Sequence, residues 1–212
     1  MGNDTLEQVS EFKYLGITTD NKLTWDKHID NVTANAKYKL HLMRKNRAYV
    51  DRDLLKLMYT GLIRPCLEYC ASLFNNLNIE QVRKLEVVQN DALRIILHKG
   101  RRDSATDMRK VLNVPTLQSR RKVKLAGVVY KALHGDAPQY LRDLLPSMSA
   151  ESYTQCGGWD PQKFSLETYR ASFEYQAIQV WNSISLKTKQ CQTYEAFKTQ
   201  ARKELLTHEK GY

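Results

Sequence analysis

Apolar residues recur at helical spacing along most of this chain, and only the first two dozen positions follow a different rule. Phe12, Tyr14 and Leu15 are strand formers, Gly16 interrupts side-chain continuity, Ile17 and Thr18 resume it, and Asp20-Asn21-Lys22 supplies a turn. The stretch 12–25 therefore reads as a short hairpin feeding a helix, with Thr24 as N-cap. From Trp25 to about Asn46, Ile29, Val32, Ala36, Leu40 and Met43 lie three and four apart, which is one helix stripe. Asp51 caps a second helix with Leu54, Leu55, Met58, Leu62 and Ile63 on its buried side. Pro65 removes a donor and should kink or end it.

Asn78 opens the clearest periodic segment, with Ile79, Val82, Leu85, Val88, Ala92 and Ile95 on one face and Gly100 as the stop. Asp103 is placed as the cap of a short helix ending at Asn113-Val114-Pro115, and Thr116 as the cap of a longer one ending at Gly135. Its inward positions are Leu117, Leu125, Val128, Val129, Ala132 and Leu133. A short helix follows from Pro138 to Leu145, then periodicity vanishes around Gly157-Gly158. Residues 164–170 read as extended. Two last helices start at Ser172 and Thr193, with Phe173, Ala177, Val180 and Trp181 on the first stripe and Tyr194, Phe197, Ala201 and Leu205 on the second. Tyr59, Tyr69, Trp181 and Phe197 are read as core.

The fold class expected is mainly α: a hairpin at 1–24, a helical bundle at 25–146, a loop at 147–163 and a smaller C-terminal helical subdomain at 164–212. A lone hairpin is marginal in water. It must lean on the helices, or on a sheet this chain does not contain.

Charge changes the picture because it is unevenly spread. The net charge is +10, yet residues 1–36 carry three basic and six acidic groups, 37–56 seven and two, 57–98 four each, 99–124 nine and two, and 125–212 ten and nine. The excess sits in two blocks, and clustered cations favour polyanions, above all nucleic acid. In the second block Arg120, Arg121, Lys122 and Lys124 crowd the first half of a helix, where the macrodipole is already positive. An anionic partner would relieve that conflict.

Other chemistry is sparse. Cys66, Cys70, Cys156 and Cys191 lack zinc spacing and read as buried or free thiols, so no metal is expected. There is no Walker loop, no GxSxG elbow, no HExxH and no adjacent acidic pair on a strand turn to clamp two metals. No catalytic residue and no cofactor is assigned. The sequence contains no apolar run of about 18 residues and no signal-peptide profile, so the expected setting is intracellular, nuclear or cytoplasmic, with no membrane.

Several blocks, in order, resemble the C-terminal region of a non-LTR (LINE-type) retrotransposon reverse transcriptase. Val9-x-x-Phe12-Lys13-Tyr14-Leu15-Gly16-Ile17, with Asp20, Leu23, Trp25 and His28-Ile29, is similar to the primer-grip hairpin. Leu62-Ile63-Arg64-Pro65, Leu67-Glu68-Tyr69, Gln89-Asn90 and Arg94-Ile95-Ile96 resemble the helical thumb and its continuation. Arg120-Arg121, Tyr130-Lys131, Gly135, Pro138 and Tyr140-Leu141 resemble the downstream helical region, and Trp181-Asn182-Ser183 with Phe197-Lys198 the terminal one. Departures are Ile184-Ser185, where the family often has Leu-Pro, and Phe74, where a Trp is common. The resemblance implies a thumb-like bundle in which Phe12, Tyr14, Leu15 and Gly16 are primer-grip-like. It implies a truncated fragment without the catalytic aspartates of the palm, and so not an enzyme.

Charge and resemblance together lead to one expectation: sequence-tolerant binding of RNA or an RNA–DNA hybrid. The phosphate contacts would be Lys37, Lys39, Arg44, Lys45, Arg101, Arg102, Arg120, Arg121, Lys122 and Lys124. The alternative is a helical protein-interaction module, with a protein partner at the orphaned hairpin, or a residual retrotransposon product with no selected activity.

Overall fold

The computed structural model describes residues 9–145, Trp159 and 172–207. The chain is mainly helical, with a two-stranded antiparallel hairpin at its start, as the periodicity predicts. It divides into two compact units, Met1–Leu67 with Leu77–Met108, and Glu68–Asn76 with Arg109–Tyr212. The expected segments cut the chain elsewhere, at residue 146, because periodicity lapses there while the units interleave in sequence. Apart from Trp159, the expected loop 147–163 and extended segment 164–170 lie outside the described residues.

In the first unit β1 (Glu11–Tyr14) pairs with β2 (Ile17–Asp20), Tyr14 opposite Ile17. Leu15 and Gly16 connect them with φ of 45° and 83°, the two positive values that a type I′ turn needs to follow strand twist. Leu15, expected in the strand, is therefore in the turn. The Asp20 carboxylate accepts from the backbone N–H of Lys22 at 2.8 Å and of Thr24 at 3.1 Å, and from the Thr24 hydroxyl at 2.9 Å. These bonds, the Thr24 N–H foremost, hold its carboxyl below the usual range. Thr24 is thus engaged backwards and does not cap α1 (Asp26–Asn46); the cap position is Trp25, left-handed at φ 65° with no capping side chain.

The hairpin leans on α1. Ile17 is buried, the Thr18 N–H donates to His28 Nδ1 at 3.3 Å, and Lys27 pairs with Glu11. Along α1 the buried residues are His28, Ile29, Thr33, Ala36, Leu40 and Met43.

The helical path continues from α2 (Arg52–Met58), capped by Asp51 as expected, through a π-helical turn (Tyr59–Ile63) into α3 (Arg64–Glu68). Pro65 does not end it. The wider turn switches the ladder to i→i−5, Arg64 N–H to Tyr59 O, just before the residue that lacks a donor. The buried face follows Leu55, Tyr59, Ile63 and Leu67, spaced by four, the wider turn leaving Leu62 exposed, contrary to a 3.6 period; Leu54, in the first turn of α2, is exposed as well. Tyr59 is core, its hydroxyl donating to buried Gln89 at 2.7 Å; Tyr69 is exposed, not core.

Asn78 caps α4 (Ile79–Ile96) in a full capping box with Gln81. Gln81 Nε2 also donates to the Thr24 carbonyl at 2.6 Å and to Asp26 at 2.7 Å, while Lys84 pairs with Asp30 at 2.6 Å. These pairs advance together along both helices, so α1 and α4 run parallel. Cys66 reaches back to the Val32 carbonyl and Lys39 to that of Leu62, so the 52–68 path runs the other way. Ile79, expected in the core, is 89% exposed because it sits in the first turn of the helix, outside the packed stretch. The stop is His98 rather than Gly100. With φ 53° it closes a Schellman pair, His98 N–H to Ile95 O and Lys99 N–H to Arg94 O.

α5 (Ala105–Leu112) starts one residue later than expected, with Ser104 Oγ accepting from Asp107 N–H, because Asp103 is used on Gly100.

The second unit is built on α6 (Leu117–Leu133), capped by Thr116 and closed at Gly135, φ 81°. α7 (Gln139–Asp143), α8 (Phe173–Asn182), α9 (Leu186–Lys189) and α10 (Tyr194–Thr207) follow. Ser172 and Thr193 cap α8 and α10 as predicted. Leu125, Val129 and Tyr130 meet Ala177, Trp181, Phe197, Ala201 and Leu205 in one core. Trp181 stacks on Phe197 at 5.9 Å, and Phe197 on Tyr130 at 4.3 Å, so both predicted anchors are anchors. The Trp181-Asn182-Ser183 block is explained locally. Trp181 fills the core, and the Asn182 amide exchanges two bonds with the Trp159 backbone, at 2.7 and 2.9 Å, as a neighbouring strand would.

Candidate nucleic-acid interface

Because α1 and α4 run parallel, their C-terminal ends lie at the same end of the first unit, together with the start of α2. That end gathers parts of both basic blocks. Arg44 and Lys45 are exposed on the last turns of α1, with Arg47 and Arg52 beyond them, and Lys37 is exposed two turns earlier. Arg101 and Arg102 are exposed at the tip of a tight turn after α4, held shut by the Gly100 N–H donating to Asp103 at 2.7 Å. Cations at helix C-termini also complement the macrodipole, so they stand there at no electrostatic cost. Lys39 is different: its Nζ donates to the Leu62 carbonyl at 3.2 Å, within the π turn, and so it braces the fold.

The second unit treats its cations in the opposite way. Glu68, only 8% exposed, receives Arg120 in a two-pronged pair, with Nη2 to Oε2 at 3.2 Å, and Lys124 at 3.0 Å. Lys124 donates to the Glu68 carbonyl as well. Burial alone would raise the Glu68 carboxyl, but the Arg120 and Lys124 bonds and charges outweigh it and hold the group below its ordinary range. The anion that the crowded start of α6 calls for is thus supplied from within the unit. Arg121 is 4% exposed and out of reach of a polymer backbone, whereas Lys122 faces solvent.

A curated relative gives the chain a context. Over 111 residues, half of this chain, the sequence is 29% identical to the RNA-directed DNA polymerase from mobile element jockey of Drosophila melanogaster. The similarity is to a reverse transcriptase. The matched stretch spans 12% of that polymerase's length. No family model matches the chain, and no solved structure does.

Phe12, Tyr14 and Leu15, expected to be primer-grip-like, are exposed, and Gly16 completes the hairpin turn. Their neighbour Ile17, together with Thr18, faces α1. Among the described residues no three His, Cys, Asp or Glu side chains stand close enough to hold a metal ion. Cys66, Cys70 and Cys191 are free thiols, that of Cys66 pushed up by burial. No helix among the described residues is long and apolar enough to cross a membrane.

Sequence reasoning missed Glu68 as the partner of Arg120 and Lys124, 52 and 56 residues away. It also missed two exposed rings beside the basic end, Tyr38 and Tyr49. A scan for aromatics between cations would have found the rings; nothing local points to Glu68.

Proposed function

We propose that this chain binds RNA or an RNA–DNA hybrid through phosphate contacts, as a fragment of a reverse-transcriptase-like protein whose thumb-like helices follow a primer-grip-like hairpin. The observation that carries the reading is the gathering of Lys37, Arg44, Lys45, Arg101 and Arg102, from two distant sequence blocks, on one unit. Lys122 adds a contact on the other unit. The similarity to an RNA-directed DNA polymerase supports the choice of polymer. Contacts of this kind read backbone spacing and shape rather than sequence.

Filter binding of an RNA–DNA hybrid across a salt series tests it. The five contacts on the first unit contribute about −4 to the log–log slope. Replacing Lys37, Arg44, Lys45, Arg101 and Arg102 by Gln should flatten the slope towards zero. A salt-independent affinity, or one indifferent to those five substitutions, refutes the reading. Synthesis is not part of the proposed role, and primer extension on an RNA template by this chain would overturn that part.

The exposed Phe12, Tyr14 and Leu15 favour a second reading, in which a protein partner docks on the hairpin. A partner that stays bound after nuclease treatment and is released by Tyr14→Ser supports it; release by nuclease alone refutes it.

A further inference from the structure

The outer face of α1 differs from an ordinary solvated helix face. α4 shows what that looks like: Glu80 pairs with Arg83 and Asp91 with Arg94, so opposite charges alternate at helical spacing. On α1 no acidic residue occurs between Asp30 and Asp51. Ile29, Ala36, Leu40 and Met43 point into the unit. At about 100° per residue Tyr38 stands opposite that stripe, with Leu42 and Lys45 within about 40° of it and Lys37, His41 and Arg44 to one side. Tyr38 is 65% exposed, Leu42 is exposed too, and Tyr49, in the turn beyond the helix, is 86% exposed. Two rings that contribute so little to packing bracket the last two turns of α1, Tyr38 on the helix and Tyr49 just past its end, with Arg44 and Lys45 between them in sequence and Lys37 beside the first.

We infer that this face of α1 is a binding track for single-stranded nucleic acid, in which unpaired bases stack on Tyr38 and Tyr49 while Lys37, Arg44 and Lys45 hold the intervening phosphates. This rests on the phosphate-binding reading above and narrows it. A duplex hides the faces of its bases in its own stack, so it can use the cations but not the rings. A single strand can use both, because every base has a π-face. The apolar Leu42 between the rings suits a base edge and repels a hydrated phosphate. The track therefore prefers single strands and tolerates any sequence.

The test is fluorescence anisotropy of the full chain with an unstructured oligouridylate and, in parallel, with a blunt RNA duplex. Wild type should bind the single strand more tightly. Tyr38→Ala and Tyr49→Ala should each weaken it about tenfold, leave the duplex unchanged, and keep the salt slope. Tyr38→Phe and Tyr49→Phe should retain affinity, since stacking needs the ring and not the hydroxyl. A 2-aminopurine placed within the oligonucleotide should change emission on binding wild type and not the double Ala variant. Loss of salt dependence sinks the phosphate reading and this one together. Salt-dependent binding that ignores both rings, or that is equal for duplex and single strand, sinks only this one. Binding to phosphatidylserine vesicles with the same sensitivity to Tyr38→Ala would also overturn it, because the stripe would then be reading an interface.

Discussion

Glu68→Gln separates a structural role of the α6 cations from a binding role. The carboxylate is almost wholly buried and carries two cations, so its removal leaves positive charge without its counter-charge. Breaking a buried pair from one side costs about 3–5 kcal/mol. Arg120, with a side chain 19% exposed, falls near that regime, whereas Lys124 at 42% can turn to water, and its share is close to nothing. Gln keeps one acceptor for Arg120, which brings the expected loss to about 2 kcal/mol. Urea unfolding followed by tryptophan emission reads it directly, because Trp159 and Trp181 lie in the core of the same unit. The pH dependence has a definite sign. Glu68 titrates lower folded than unfolded, so its contribution is complete above the ordinary value of 4.5 and is lost as pH falls through the lower folded value. The variant should lack that part of the acid-induced loss. A second readout concerns function: Lys124, released, becomes available to phosphate, and the salt slope for RNA should steepen by about 1. Unchanged stability would refute the view that Glu68 is the anion of this helix start. A stability loss with an unchanged slope would show that Lys124 stays on the fold.

Three further outcomes follow from other contacts. His28 accepts the Thr18 N–H and is pushed below its ordinary 6.5 by burial, so its contribution is complete above that pH and fades as pH falls through the folded value. The protection of the Thr18 amide relative to its intrinsic exchange rate should fall on acidification towards pH 5 in wild type, and be low at all pH values in His28→Ala. Gly127→Ala would gain about 1 kcal/mol of helix propensity in the abstract. Here its Cβ would meet the Tyr194 hydroxyl at 2.8 Å, so it should lower the midpoint in urea, with Tyr194→Phe restoring it; a stabilised single variant counts against the close approach. Asn182→Ala removes both bonds to the Trp159 backbone and should cost about 2 kcal/mol in urea, with a red shift of native emission, whereas a silent variant would show that the bridge is dispensable.

Most of the fold was legible because helices announce themselves by period and cap. Asp51, Asn78, Thr116, Ser172 and Thr193 all cap where their residue type predicts. The misses share a cause, a local rule overridden by a contact made elsewhere. Thr24 is turned back by Asp20, Asp103 is spent on Gly100, and the π turn before Pro65 rotates the buried face off Leu62. Interleaving of the two units was illegible, since no periodicity marks which later helix a segment such as 68–76 joins.

The site was legible as charge but not as disposition. Two basic blocks can be counted from the sequence; whether a given cation faces solvent or a buried carboxylate is a tertiary fact. The crowded start of α6 shows why the distinction matters. Cations in the first turns of a helix demand an anion, and the demand is equally well met by a phosphate outside or by Glu68 inside. The cations on the last turns of α1 make no such demand, because the dipole there already favours them. Electrostatic frustration in the sequence therefore marked the cations of the internal ion pair, without naming their partner. The unfrustrated cations, exposed beside the core stripe and near exposed rings, are those we propose to meet a polymer.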